Sequence, residues 1–157
     1  MGPTSSSCAK CERPGPSQPP GATINVGGGS FTAPYNRDIL VATYDQSGVA
    51  VSAVRIGGPD SEEAGSIVAS GPDWYVSGML ESTGNLIIAK VSGGLLDWMN
   101  SDGGPVSAGI ESLPDLALTP NGRILAIGAF LNTATFGKYQ VTSQGAEDGF
   151  LATLRLQ

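Results

Sequence analysis

Residues 38–48 read DILVATYDQSG, and residues 148–157 read DGFLATLRLQ. Between them, residues 85–94 read NLIIAKVSGG. Each copy opens on an acid or amide, at Asp38, Asn85 or Asp148, and carries an alanine four residues on, at Ala42, Ala89 or Ala152. β-Branched and aliphatic residues fill the space between, and such residues suit a pleated surface better than a helix. An alanine fixed at one strand position predicts the close approach of a neighbouring sheet. A short polar side chain at the strand entry predicts a hydrogen bond to turn backbone.

The echo extends outward from these stretches. Gly48 is followed by VAVSAVRI and Gly57-Gly58, and Gly94 by LLDWMNSD and Gly103-Gly104. Next come SIVAS (66–70) and DLALT (115–119), each followed by a turn, GPD or PNG. WYVSG (74–78) and ILAIG (124–128) then each end on glycine. The approach VGGGSFTAPYNRD (26–38) is matched by FGKYQVTSQGAED (136–148). Four short strands therefore recur, with units at about 38–84 and 85–147, and a third unit begins at 148–157. A period of about 40–50 residues with four antiparallel strands is the pattern of a β-propeller blade.

The run TATFGKYQVTSQGAEDGFLATL (133–154) and the turn and strand PNGRILAIGAF (120–130) resemble the bacterial β-propeller repeat found in tandem in secreted and surface proteins. Trp98, four residues after Gly94, stands where that repeat carries tryptophan. Unit one departs from it, with Ser52 in place of the tryptophan and GPDW in place of the Asn-Gly turn. The resemblance covers about residues 24–157. It implies an all-β fold of antiparallel, four-stranded propeller-type blades, about two of them plus flanking strands, and a place outside the cell or on its surface.

Composition agrees with an all-β reading. Gly contributes 23 and Pro 11 of the 157 residues, and charged residues are only 14%. That profile fits many short strands and tight turns and predicts essentially no helix. Residues 1–22 differ: CERPGPSQPPGA has Pro14, Pro16, Pro19 and Pro20, and reads as an extended arm or linker. Residues 23–157 form the repeat domain. Met1 leads straight into GPTSSSC, with no apolar leader.

Several functions are excluded or disfavoured by residue type. The net charge is −6 with eight Lys and Arg, so no basic stripe exists for nucleic acid. No run of 18 apolar residues is present to span a bilayer as a helix. With no His, neither a Ser-His-Asp nor a Cys-His arrangement can be built. Cys8 and Cys11 lack the further ligands a zinc site needs, and read as a tail disulfide or free thiols. The acids Asp60, Glu62 and Glu63, and Glu147 with Asp148, are read as solvent-facing turn residues rather than a paired-carboxylate or calcium site. VGGGS (26–30) lacks the lysine and helix of a phosphate loop. No catalytic, cofactor or metal residue is assigned.

Trp98 is expected in a packed interior, with one of Trp74 and Tyr75 facing outward by strand alternation. Two units leave uncovered faces and edges, which points to a longer array, a ring of copies or a filament. The strand at 148–157 is expected to pair either with Ile24–Thr32 of its own chain or with a neighbouring molecule. The functional expectation is a non-enzymatic extracellular structural or binding module that assembles with itself, as scaffold, filament subunit or adhesin. The alternative is an oligomeric lectin that binds glycans.

Overall fold

The computed structural model describes residues 6–9, 23–26, 29–32, 37–105 and 113–154. Every regular element among them is a strand, and every pairing is antiparallel. Among the described residues none of the sheets closes into a barrel.

The repeat phrases become strands where the pattern places them. In sheet I, β4 (Ile39–Tyr44) lies between β1 (Ser6–Ala9) and β5 (Ala50–Ile56). The β4–β5 turn is held by Asp45, whose Oδ1 accepts from Ser47 N at 2.8 Å and Val49 N at 3.0 Å. Sheet II is a meander of β6 (Glu62–Ser70), β7 (Asp73–Leu80), β8 (Asn85–Ser92) and β9 (Leu95–Pro105). Sheet III holds β10 (Asp115–Leu118), β11 (Ile124–Phe130) and β14 (Asp148–Leu154). Two hairpins complete the set: β2 (Thr23–Val26) with β3 (Gly29–Thr32), and β12 (Thr133–Phe136) with β13 (Tyr139–Thr142). The second hairpin touches sheet II through a single register pair, Thr135 with Gly103.

Hydrogen bonding groups these strands out of phase with the sequence units. The last two strands of unit one pair with the first two of unit two, giving the four strands of sheet II. The final strand does not pair with β2 or β3, which pair with each other. It pairs with β11 along seven residues, from Ile124 opposite Leu154 to Phe130 opposite Asp148. The reason lies in the repeat itself: β7 pairs β8 in the same way, and β11 and β14 are their counterparts.

The three sheets stack in chain order. Ile39, Val41 and Ile56 of sheet I pack with Val76, Ala89 and Val91 of sheet II. On the opposite face of sheet II, Tyr75, Leu86 and Ile88 pack with Leu116, Ile124, Ala126 and Phe150 of sheet III. Alternation along β8 makes this possible, since Ala89 and Ile88 point to opposite faces and both are buried. Sheet II is thus a two-sided core layer, which explains why NLIIAKV is a continuous apolar run. The recurrent alanine does meet a neighbour: Ala89 is fully buried against sheet I, and Ala42 packs in a cluster with Phe31 of the hairpin. Gly128 sits opposite Phe150, and a Cβ there would lie 2.8 Å from the Phe150 ring, so the ring takes the space of the missing side chain.

Candidate functional site

Sheet III stops at β14. The counterpart strands β4 and β8 pair, on the corresponding edge, with β5 and β9. Among the described residues nothing pairs with that edge of β14. Beside it runs an open trough of about 790 Å³. Five consecutive residues of β14, Phe150 to Leu154, line it, so the trough exposes the strand edge and not one face alone. Its other wall comes from Tyr75, Ile88, Lys90 and Trp98 of sheet II, and Tyr139 of the second hairpin closes one side.

Trp98 is therefore not a core residue. It is 38% exposed, opposite Lys90 on β9, with its ring tilted at 58° and 6.2 Å from that of Tyr75. The physical reason is the edge of sheet III: the face of β9 that carries Trp98 looks onto a position where sheet III offers no fourth strand. Of the neighbouring aromatics, Tyr75 is buried and Trp74 is partly buried against the core shared with sheet I. Lys90 bridges Asp97 at 3.0 Å and Asp73 at 3.2 Å, and these hydrogen bonds raise its pKa and keep it charged. Tyr139 is 65% exposed, with the Lys138 ammonium 5.3 Å from its ring centroid.

A second cluster lies at the start of sheet I. Asp38 and Glu62 are both buried, contrary to the solvent-facing reading of Glu62. Arg55 Nη1 stands 3.3 Å from each oxygen of Asp38. Gly58 N donates to Glu62 Oε1 at 3.1 Å, while Glu62 Oε2 is buried without a hydrogen-bond partner. Burial, reinforced by the charges of Asp38 and Asp60, pushes the Glu62 carboxyl up to about 7 against the Gly58 hydrogen bond. Burial also raises Asp38, against the opposing field of Arg55. A Cβ at Gly57 would lie 1.9 Å from Asp38 Oδ1 and 2.7 Å from Glu62 Oε2, so only glycine fits over this pair. The nearness of two acids 24 positions apart (62 − 38) was not legible in the sequence. The one signal was Gly57-Gly58 just ahead of the acidic run.

The other sequence candidates separate. Asp148 accepts from Gln144 N at 2.7 Å, the turn contact expected of an acid at a strand entry. Asp38 instead pairs with side chains. Glu63 lies 3.7 Å from Arg37, away from the Glu62 carboxylate's partners. Cys8 lies in β1 opposite Val41, and Cys11 lies outside the described residues. Among the described residues no group of three His, Cys, Asp or Glu is placed to hold a metal ion, and no helix is long and apolar enough to cross a membrane.

Fold and site together define an all-β protein of stacked antiparallel sheets with an aromatic trough beside the open edge of β14. The chain matches no protein-family model, and no curated protein matches it in sequence.

Proposed function

We propose that the chain is a non-enzymatic structural and binding module of propeller-type blades that acts outside the cell and associates with copies of itself. The observation that carries this reading is the open edge of β14 beside the trough. Backbone donors and acceptors on an unpaired edge seek another strand, and an apolar trough beside them adds burial to the pairing. The stacking of sheets I, II and III in chain order, each on a face of the one before, supports the blade reading. Propeller arrays are completed by further blades or further copies. The extracellular placement follows from the family that the repeats resemble.

Sedimentation of the purified chain from low to high micromolar concentration tests this reading, with electron microscopy to separate ring from filament. Mass increasing with concentration is the expected result, and a monomer throughout overturns it. One observation favours a second reading, a glycan-binding lectin: Trp98 and Tyr139 present partly exposed rings at the trough. Aromatic faces of this kind stack on the apolar faces of sugars. Binding on a glycan array that is lost in Trp98→Ala would support the lectin.

A further inference from the structure

We propose that the joint between sheets I and II is fastened by one proton shared between Glu62 and Asp38, and that the joint loosens as the solution turns from acid to alkaline. Both acids stand where the chain crosses from one sheet to the other. Asp38 directly precedes β4 of sheet I, Glu62 opens β6 of sheet II, and residues 57–61 make the crossing. Glu62 N donates to Arg37 O at 3.0 Å, so the two strand entries lie side by side. Ile39 and Ile56, paired across β4 and β5 and buried in the core that the two sheets share, come next along the chain from this pair.

The oxygens themselves assign the proton. Glu62 Oε1 accepts from Gly58 N at 3.1 Å. Oε2 is buried with no partner, and an ionised oxygen so placed carries the full cost of its lost hydration. It lies 2.7 Å from the point that a Cβ on Gly57 would occupy, and Asp38 Oδ1 lies 1.9 Å from the same point. The two carboxyls are therefore within hydrogen-bonding reach. Two carboxylates have no donor between them. A proton on Glu62 Oε2 supplies the donor, and Asp38 accepts it. Charge leads to the same assignment. The charged groups acting on Glu62 are Asp38 at the entry of β4, Arg55 on β5 and Asp60 in the crossing. Arg55 Nη1 stands 3.3 Å from each oxygen of Asp38, so this cation is committed to Asp38. Arg37 is taken by Glu63 at 3.7 Å and Glu81 at 2.9 Å. Two like charges this close do not both persist in a buried site, and the neutral one is Glu62.

Ionisation of Glu62 removes that hydrogen bond and sets two like charges side by side beneath Gly57. Water entering between the entries of β4 and β6 relieves the repulsion, and Ile39 and Ile56 are the first apolar residues it reaches. The closed joint holds the proton and the open joint does not, so opening releases it. The opening constant therefore rises with pH between about 4.5, where an exposed glutamate ionises, and about 7, and is level above that. Fastening is complete in acid and gone by about pH 8.

The test uses the full chain and its Glu62→Gln variant, whose side-chain amide donates to Asp38 at every pH. Carboxyl-carbon NMR of protein labelled at Asp and Glu follows the ionisation. Hydrogen exchange from about pH 5 to about pH 8, corrected for the intrinsic rate, follows the joint. In the parent, one carboxyl is expected to titrate near 7. Protection of β4 and β6 is expected to fall about tenfold or more across the range while β11 and β14 keep theirs. Glu62→Gln is expected to lose the titration and to hold its protection throughout. Asp38→Asn, whose amide donates to an ionised Glu62, is expected to lower the midpoint by about one unit or more, and decides the matter if Glu62→Gln does not fold. A parent with no carboxyl titrating above about pH 6 overturns the shared proton. A titration near 7 with protection of β4 and β6 unchanged, or with equal losses in β11 and β14, overturns the fastening of this joint.

Discussion

Glu62 is the residue whose environment departs most from what its neighbours in sequence imply. Its carboxyl is buried beside Asp38, and its pKa is pushed up to about 7 from an ordinary 4.5. A raised carboxylate pKa means that the folded chain binds a proton more tightly than the unfolded chain does. Its contribution to stability is therefore full below about 4.5 and is lost as pH rises through about 7. Glu62→Gln removes the titration while keeping the shape and the acceptor for Gly58 N. We expect the variant to be more stable than the parent at pH 8 by roughly 1–2 kcal/mol, allowing for partial hydration of the pair, and to lose that advantage at acid pH. Thermal melts of the two proteins across this range check it, and parallel curves would mean that Glu62 titrates normally. The acids of GPDSEEAG look alike in sequence. Only the backbone path, with Glu62 N donating to Arg37 O at 3.0 Å, carries one of them inward beside Asp38.

At the scale of elements, the strands follow the apolar phrases and the contacts between strands do not. β4 begins and ends where ILVATY does, and β8 covers the whole of NLIIAKVS. Trp98 shows the difference. Its place in the repeat predicts a packed interior, yet it stands at the trough, tilted against Tyr75. Trp98→Ala should accordingly cost about 1 kcal/mol, the order of one aromatic contact, and not the 3–5 kcal/mol typical of a fully buried tryptophan. Chemical denaturation measures this directly, and a loss in the larger range would mean that the trough is closed in solution. Ile39 is the opposite case, buried at the junction of sheets I and II with its Cδ1 against the backbone position of Gly78. Ile39→Ala should cost on the order of 2–5 kcal/mol and lower hydrogen-exchange protection in β4 and β7 together, since both sheets lose the same contact. Loss of protection confined to β4 would show that the two sheets open independently.

For the whole molecule, the consequence of stacking is that each sheet needs a neighbour on its faces and on its last edge. Sheet II has neighbours on both faces and is the best buried; sheet III has one face on sheet II and leaves Ile127 and Leu151 exposed on the other. The amino-acid sequence by itself determined the local choices: strands over helices, the turns at Asp45 and Asn121, and the recurrence of one four-strand pattern. These depend on side-chain shape, period-two alternation and Gly/Pro punctuation, all properties of neighbouring residues. Only the tertiary structure decided which strands share a sheet, that β14 pairs with β11, that Glu62 turns inward and that Trp98 faces a trough. A repeated sequence marks where each unit recurs but not the point at which one sheet ends and the next begins. Hydrogen bonds can link any two adjacent strands of a repeat, and the division is made by burial of both faces of β8 between its neighbours.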